Sequence, residues 1–536
     1  MNGLRFDWYQ QTDADFIYEL VSTVIDVVNE ERSTRGLTPE QAITRAAEEQ
    51  LIAKHLIGSL YHAYSSITSD SSPTPIVIPR AKESYAKNSS DSTKVNYSYR
   101  YATNVYEALV ELKWIEVSLG NTYKGYTRAH ASGQLAETFR RIGLVWTKQQ
   151  PIDASSLIVF RDREKVTSSS PPNHRGGKSK KYRKFDIPTP DTPEVRQMAQ
   201  YLYSYNDVLT RHCVSFNLPD SKILKIAKDM ANREDASKMS LIDFSRNQLT
   251  RIFSRGSMSF GGRFYRSWWQ SVPGIYRQHI TIDGHKTCEV DFSTISLRII
   301  YASQGEYVDP EVDLYDIGLP NWAGKDDPRR KHIKVYINAM MNDENGHHQL
   351  DKPILDSMGL THKELKAKVL ECHSKIADQL TEGMGLRTQL LDSQIAERVV
   401  LSMLADDILI LPIHDSFIVR LGMAQDLKAT MQRVFEQATG VTIKLTTDYA
   451  RAPKDFGKTK VELEAEKLKQ KDDPSWSIVG SDSLVAAMCR EPDNSEGYLM
   501  SWRRWSQGGP GRLWLSESQH KDVTDYLSSP FSKTAD

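Results

Sequence analysis

The spacing of apolar and polar positions divides the chain into regions of different character. Residues 14–66 have apolar residues at helical spacing, and residues 192–245 repeat that pattern. From about residue 250 to 450, short apolar strands alternate with long helices. The pattern therefore predicts a mainly helical N-terminal region followed by an α+β core.

The N-terminal region contains one segment with a recognisable order of elements. Residues 68–97 are rich in Ser, Thr, Asp and Pro, which predicts a loop. A helix with Val105 and Leu109 on its apolar face follows, then two strands around a Gly-Asn turn within 114–130, then a helix. This order resembles a winged-helix module, a class that binds proteins as well as DNA. A generic α+β domain is the alternative.

Two polar segments flank the core. Residues 161–191 predict a linker, and its stretch 174–184 has six basic residues in eleven. A solvated tether and a phosphate-contacting arm are compatible interpretations. After residue 455 the sequence predicts a charged helix and a polar tail. Its Trp-Arg cluster at 501–514 could stack on bases, although docking of the tail on the body is favoured.

Composition narrows the class of protein. The 536 residues include 69 Lys plus Arg and 69 Asp plus Glu, which excludes a uniformly basic nucleic-acid coat but not local basic patches. The four cysteines are far apart, so a disulfide scaffold or zinc ribbon is not expected. No secretory signal and no membrane span is predicted. We expect a soluble cytoplasmic protein.

The first segment with candidate chemistry is CEVDFSTISLRIIYA, residues 288–302. It predicts a buried strand that ends near Asp291 and then a helix. A carboxylate on a buried strand is costly unless it is paired or binds a metal. Asp291 as a helix N-cap is the alternative, and it is the commoner role in isolation.

The second segment, residues 325–346, predicts a helix that begins at Pro328 and ends by Gly346. Positions four residues apart share one face of this helix. That face carries Arg330, Lys334, Asn338 and Asn342. Cations near a helix N-terminus are poorly placed against the helix dipole but suit a polyanion such as a triphosphate. A solvated basic face is the alternative.

The third segment, ILILPIHDSFIVRL at 408–421, predicts a hairpin of two apolar strands with His414 and Asp415 at its tip. Asp415 could meet Asp291 from a neighbouring strand. Such a pair could bind two divalent cations about 4 Å apart, as phosphoryl transfer requires, and Mg²⁺ favours this kind of oxygen site.

A glycine-rich segment precedes these motifs. Residues 256–274 contain Arg263 and Arg266 among aromatic residues, a combination that suits a nucleic-acid backbone. A Trp-Tyr core layer with a Gly turn is the alternative interpretation.

Taken in order, the three motifs resemble those of family A DNA polymerases. DFSTISLR resembles the first palm motif, RRKHIK resembles the fingers helix that holds the nucleotide phosphates, and IHDSF resembles the third motif. The residues of the third motif are more similar to those of the single-subunit phage-type RNA polymerases, which share this palm. RQHITIDGHKTCEVD and DLY (313–315) also match, and the resemblance spans roughly residues 250–445.

The resemblance implies a palm-fingers-thumb core with specific site residues. Asp291, Asp415 and the carbonyl of Phe292 would bind two Mg²⁺ ions, with Mn²⁺ as a substitute. Arg330 and Lys334 would neutralise the triphosphate, and Lys334 could protonate the leaving pyrophosphate. The further nucleotide contacts would be Asn338, Asn342 and Ser296. The contacts to nucleic acid would be Arg263, Arg266, His414, Arg387 and Gln394.

The same resemblance implies a layout and partners. The predicted domains are an accessory domain (1–160), a basic linker (161–191), a helical thumb (192–250), the palm and fingers (251–450) and a charged tail (451–536). Nucleoside triphosphates and a DNA primer-template would be the partners. A protein could bind the N-terminal module, and the enzyme would lie at the nucleoid in the cytoplasm.

Departures from the family pattern keep other functions open. Ser296 stands where the DNA polymerases have a Glu that excludes ribonucleotides, so we expect relaxed sugar selection, as in a primase or an RNA polymerase. The fingers aromatics are missing at Asn338 and Asn342, which would permit a template-independent or protein-primed transferase. Ser416 replaces a Glu of the third motif. No acidic set for proofreading is found. A non-catalytic replication initiator is the remaining alternative.

Overall fold

The computed structural model describes most of the core and parts of both ends of the chain. The described residues are 4–5, 15–31, 38–65, 76–79, 82, 85, 97–118, 126–142, 154–165, 182–216, 218, 222, 225–226, 229, 246–342, 349–381, 384–449 and 514–531. Helices and antiparallel sheets are mixed throughout them, so the chain is of the α+β class.

The helices are α1 (Asp15–Glu31), α2 (Pro39–Ser65), α3 (Tyr99–Glu111), α4 (Gly133–Ile142), α5 (Pro193–Leu209), α6 (Trp268–Ser271), α7 (Gly274–Arg277), α8 (Ile295–Ser303), α9 (Pro328–Asn342), α10 (Lys352–Met358), α11 (His362–Cys372), α12 (Ala377–Thr381), α13 (Gly385–Ala405), α14 (Ala424–Thr439) and α15 (Glu517–Ser528). The strands are β1 (Leu4–Arg5), β2 (Ile76–Pro79), β3 (Ile115–Ser118), β4 (Tyr126–Ala131), β5 (Ile158–Lys165), β6 (Tyr182–Ile187), β7 (Val214–Phe216), β8 (Thr250–Ser254), β9 (Gly261–Tyr265), β10 (Ile280–Ile282), β11 (His285–Phe292), β12 (Ile410–Ile413), β13 (Ser416–Arg420) and β14 (Leu445–Tyr449).

The N-terminal elements build a core of their own. Helices α1, α2 and α3 pack with a sheet of order β1-β2-β4-β3, and Val105 and Leu109 are fully buried as the helical pattern predicts. The predicted sequence of helix, hairpin and helix is present as α3, β3–β4 and α4. The prediction of a loop over 68–97 is wrong at residues 76–79. The Ile-Val-Ile run there forms β2, which pairs with β4 and buries Ile76 and Ile78.

A six-stranded sheet lies at the centre of the core. Its order is β12-β13-β11-β10-β7, and β14 pairs with the opposite edge of β11. Strand β11 is therefore antiparallel to β13 on one side and to β14 on the other. Because successive side chains of a strand alternate between faces, Val290 and Phe292 are buried on one face while Asp291 lies on the other.

A second sheet includes both ends of the segment that was predicted to be a linker. Its order is β6-β5-β8-β9, and β5 pairs with β6 from Phe160 opposite Ile187 onward. The expected tether over 161–191 is therefore wrong where its two ends form strands β5 and β6, which pair with each other. Buried Phe160 anchors β5, and Arg161 forms a 2.8 Å ion pair with Asp186 of β6. Residues 166–181, with most of the basic run, lie outside the described residues.

The segment predicted as a thumb contributes to the same core as the central sheet. Helix α5 buries Val195, Leu202 and Leu209 in that core, and the Tyr205 hydroxyl donates a 2.7 Å hydrogen bond to the Ile410 carbonyl of β12. Strand β7, which was expected to be helical, completes the sheet beside β10. The described part of 192–250 is thus packed against the predicted palm.

Helix α13 is the long buried helix behind the sheet, and the C-terminal residues dock on it. Arg398 donates hydrogen bonds to the carbonyls of Leu527, Ser529 and Pro530. Glu397 forms a buried ion pair with Arg251 and accepts a hydrogen bond from Tyr526. The favoured interpretation of a docked tail therefore holds for residues 514–531. The predicted charged helix after 455 and most of the Trp-Arg cluster lie outside the described residues.

Helices α8 to α12 share a third apolar core, with Leu297, Ile333, Tyr336 and Leu365 among its members. It lies beside the strand end that carries Asp291, so α9 can face that strand end. Within the described residues, no helix is long and apolar enough to cross a membrane.

Candidate active site

Two carboxylates meet at the end of the central strands. Asp291 is opposite Ser416 in the β11–β13 ladder, and the Phe292 N–H donates a 3.1 Å hydrogen bond to the Asp415 carbonyl. Asp415 itself lies in the turn between β12 and β13, next to His414, which has a positive φ of 55°. The alternative role for Asp291 is excluded, because the residue that caps α8 is Thr294.

The electrostatic surroundings of Asp291 are mainly negative. Burial, followed by the charge of Asp415, raises the pKa of Asp291 to about 8, while Lys334 acts in the opposite direction. Glu289 and Asp448 add to the rise. A carboxylate pair of this kind is costly unless a proton or a cation neutralises it.

The donor set fits a hard divalent cation. Within the described ranges, no group of three or more His, Cys, Asp and Glu side chains is placed to hold a metal ion. Asp291 and Asp415 are the carboxylates that interact at the strand end. Such a pair suits Mg²⁺, which commonly takes one or two carboxylates and completes its shell with substrate phosphates and water. A tetrahedral nitrogen and sulfur site of the zinc type does not fit.

The basic face of α9 lies over an aromatic ring beside the acids. Tyr315 is almost fully buried, and its ring centroid lies 5.0 Å from the Arg330 guanidinium carbon and 6.0 Å from Lys334 Nζ. Both Asp291 and Asp415 act electrostatically on this tyrosine. The structure thus brings Lys334 and Arg330 next to the carboxylate pair.

The arginine of the first motif has a role that sequence reasoning missed. Arg298 is 3% exposed and donates hydrogen bonds to the carbonyls of Val308, Asp309, Pro310 and Val312. It therefore fixes the loop that carries Asp313 and Tyr315. The buried position of an arginine in the apolar run SLRII was the signal available in the sequence.

A second missed residue is Asp392 on α13. It is 1% exposed, and its Oδ2 accepts a 2.7 Å hydrogen bond from Arg263 of β9. Its Oδ1 has no hydrogen-bond partner among the described residues. Burial raises the pKa of Asp392 to about 6. The positive charge of Arg263 acts to lower this pKa, and the negative charge of Asp415 acts to raise it.

Close packing of β9 on α13 produces this contact. Gly262 has a φ of 79°, and a Cβ there would lie 2.9 Å from Ser393 Oγ and from a Phe253 ring carbon. A side chain at this position would therefore separate β9 from α13. Glycine lets the neighbouring Arg263 reach Asp392, and both Asp392 and Asp415 act electrostatically on the Arg263 guanidinium.

His414 is present at the site as a neutral group. Its ring lies 5.4 Å from that of Tyr265 in an edge-on arrangement, and its Nδ1 has no hydrogen-bond partner within the described part of the chain. Burial, followed by the charge of Arg263, lowers the pKa of His414 to about 4. At neutral pH this imidazole can therefore offer a hydrogen bond but not a positive charge.

A carboxylate from β11 contacts the serine of the third motif. Ser416 Oγ donates a 2.6 Å hydrogen bond to Glu289 Oε1, and Glu289 also receives hydrogen bonds of 2.7 and 2.9 Å from Arg277. Glu289 and Asp291 lie two positions apart on one strand, so they share a face. A third acid thus lies next to the pair, held by an arginine.

The other predicted contacts differ in their placement. Ser296 and Asn338 are half-buried on α8 and α9. Asn342 Nδ2 donates a hydrogen bond to the Asn338 carbonyl, and its side chain packs on Gly385, so it joins α9 to α13. Arg266 and Arg387 are exposed.

Gln394 lines a different cavity. This space has a volume of about 960 Å³ and lies between α5, α13 and the docked C-terminal residues, with Tyr526 on its wall. The structure therefore places Gln394 beside the C-terminal helix.

Comparisons with known proteins add little to this geometry. No protein-family profile and no curated protein matches the chain. Among solved structures it is similar to the "POL domain of Pol1 from M. smegmatis complex with DNA primer-template and dNTP", with a TM-score of 0.28 and 12% identity. The match covers 49% of this chain and 53% of that one, about half of each.

Proposed function

We propose that this chain is a metal-dependent nucleotidyltransferase, and specifically a template-directed DNA polymerase of the family A type. One observation carries the proposal. Two carboxylates, Asp291 of β11 and Asp415 of the adjoining β12–β13 turn, lie close enough to interact, beside a helix face that presents Lys334. Paired acids next to a cationic face are what phosphoryl transfer from a polyanionic substrate needs.

Asp291, Asp415 and the carbonyl of Phe292 would hold two Mg²⁺ ions, for which Mn²⁺ could substitute. When bound, these ions would supply charge stabilisation and lower the pKa of the attacking 3′-hydroxyl. Asp291 is well suited to this role because its negative surroundings favour a cation. Lys334 would orient the triphosphate and could give a proton to the pyrophosphate that leaves.

The nucleic acid would lie on the side of the site away from α9. Arg263 would contact the primer strand near the reacting end, with neutral His414 offering a hydrogen bond beside it. Exposed Arg266 and Arg387 would contact the sugar-phosphate backbone. In this layout residues 251–450 would form the palm and a reduced fingers region, and α5 would belong to the thumb.

A second candidate function is synthesis of RNA, as a primase or a single-subunit RNA polymerase. Ser296 favours it, since a short hydroxyl side chain on α8 leaves more room at a sugar 2′-position than the family's Glu. The N-terminal unit, with its order of helix, hairpin and helix, would recognise DNA or a protein partner as a winged helix does. Proofreading is not proposed.

The test is extension of a labelled primer on a DNA template with Mg²⁺, run in parallel with an unprimed template and with no template. Deoxyribonucleotides and ribonucleotides are supplied in separate reactions. We expect elongation that depends on both template and primer and that proceeds with either sugar. Products without primer would favour the primase alternative, and products without template would favour a template-independent transferase.

Matched variants assign the activity to the site. Asp291→Asn and Asp415→Asn should each lower the rate by at least about a thousandfold, because charge stabilisation of this kind is worth several kcal/mol. Asp356→Asn removes an exposed acid of α10 and should leave the rate unchanged. An enzyme that retains its rate without Asp291 and Asp415 contradicts the proposal. A protein that is inactive under every condition favours the non-catalytic initiator.

A further inference from the structure

The arginine that the sequence assigns to the nucleotide's phosphates is already engaged. Arg330 Nε donates a 2.7 Å hydrogen bond to Asp313 Oδ2, and its Nη2 donates a 2.9 Å bond to Asp313 Oδ1. This two-pronged arrangement uses the same guanidinium donors that would grip two phosphate oxygens. Asp313 therefore occupies the face of Arg330 that a phosphate would need.

The ion pair is built into the fold. The segment before Asp313 is fixed through the four carbonyls that Arg298 binds, and Lys444 forms an ion pair with Glu311 in the same loop. Asp313 Oδ1 also accepts a 3.2 Å hydrogen bond from the Tyr315 N–H. An aspartate held in this way presents a constant carboxylate geometry to Arg330.

The pair lies next to the candidate reaction centre. The Tyr315 ring lies under both Arg330 and Lys334, and the charges of Asp291 and Asp415 act electrostatically on Tyr315. Lys334 is exposed, and no ion pair of its ammonium group is found in the described segments. A polyphosphate that reaches Lys334 would thus also meet Arg330, once Asp313 is exchanged.

We propose that Asp313 is an internal competitor for phosphate at Arg330, and that it sets an affinity threshold which a triphosphate exceeds and a shorter phosphate does not. The inference rests on the proposed function and deepens it. A single phosphate exchanges one anion for another at Arg330 and gains little. A triphosphate also contacts Lys334, so it carries enough additional charge to displace the carboxylate. Asp313 then lowers the affinity of every phosphate ligand for Arg330, so that only a ligand with further contacts is retained, and it lies outside the metal site.

The test measures binding of inorganic tripolyphosphate and of inorganic phosphate, each with Mg²⁺, to the full chain by calorimetry. Removing the competitor by Asp313→Asn should tighten both ligands about tenfold, which corresponds to about 1.4 kcal/mol. Inorganic phosphate, too weak to measure on the wild type, should become detectable. The matched control is Asp316→Asn, which removes the same charge from the same loop and should change either affinity less than about twofold.

Arg330→Gln separates competition from a general charge effect. In that background Asp313→Asn should no longer tighten binding, because the group for which it competes is absent. If the gain persists without Arg330, or if Asp313→Asn leaves binding unchanged or weaker, the inference is overturned. A control variant that gains as much as Asp313→Asn overturns it as well.

A wild-type measurement keeps the question decidable if Asp313→Asn does not fold. The Nε–H resonance of Arg330, assigned by its loss in Arg330→Lys, should shift on saturation with Mg²⁺ and tripolyphosphate, because the hydrogen-bond acceptor changes. A resonance that stays in place at saturation refutes the exchange. Neither experiment requires nucleotide transfer, so a chain without polymerase activity whose Asp313→Asn variant binds as predicted would refute the proposed function alone.

Discussion

Replacement of Asp291 by asparagine should inactivate the protein and at the same time stabilise it. Burial and the neighbouring Asp415 raise the pKa of Asp291 from its ordinary 3.8 to about 8. Between these values the unfolded chain has this carboxyl ionised while the folded chain prefers it protonated. A raised pKa in the folded state means that stability is fully present below about pH 4 and is lost as the pH rises through about 8. Asparagine cannot ionise, so Asp291→Asn escapes that loss.

The pKa shift sets the size of the effect. A change from 3.8 to about 8 has an upper limit of roughly 6 kcal/mol, at about 1.4 kcal/mol for each tenfold change in the acid constant. Asp291 is half-buried, and solvent screening and relaxation reduce the expected gain to about 2 kcal/mol at pH 8. For a chain of this size that corresponds to a rise in melting temperature of about 2 °C.

The assay is thermal unfolding in EDTA at pH 5 and at pH 8, with Asp356→Asn as the surface control. The melting temperature of Asp291→Asn should exceed that of the wild type by more at pH 8 than at pH 5. Addition of Mg²⁺ should stabilise the wild type and not the variant, since only the wild type keeps both carboxylates. A variant that melts below the wild type at pH 8, or an advantage that does not grow with pH, would refute the reasoning.

Three other substitutions test separate parts of the molecule. Lys334→Ala should lower kcat/KM for nucleotide addition by about a hundredfold, equivalent to roughly 3 kcal/mol, as measured by single-nucleotide primer extension; an unchanged value would remove Lys334 from the site. Ser296→Glu should restore preference for deoxyribonucleotides in the same assay, and equal use of both sugars by this variant would contradict the sugar-selection argument. Arg398→Ala should lower the free energy of unfolding by about 3 kcal/mol, because it leaves several carbonyls of the docked C-terminus without donors, and limited proteolysis should then release that segment; a stable, protected variant would contradict the role assigned to Arg398.

Local patterns in the sequence were sufficient for the elements that carry the acids. The buried strand before Asp291, the helix that begins at Pro328 and the hairpin around Asp415 are all present where apolar spacing and turn residues predict them. These signals are local, because the periodicity of apolar positions in a strand or helix can be recognised within about ten residues. Strands β2 and β5 were missed for the opposite reason. Each is a short apolar run among polar residues, and it becomes a strand only because a distant partner pairs with it.

Contacts between distant segments explain what the sequence could not show at the site. In the sequence, Arg330 has the pattern of an unpaired cation on a helix face. Only the loop fixed by Arg298 brings Asp313 next to Arg330. Asp392 reads as one polar residue on an amphipathic helix, and it becomes the partner of Arg263 only because Gly262 lets β9 approach α13. In both cases an acid from one segment meets an arginine from a distant segment, near Asp291 and Asp415.

These two ion pairs have a common physical consequence for the site. The region of the candidate site contains five acids: Asp291, Asp415, Glu289, Asp392 and Asp313. The last three form ion pairs with arginines from other elements. The arginines neutralise the charges of these three acids. Asp291 and Asp415 have no such partner among the described residues, and a carboxylate pair in that position is stable at neutral pH only with a proton or a cation between its members. Among these five acids, the uncompensated negative charge therefore lies at Asp291 and Asp415, where the proposed chemistry needs a metal.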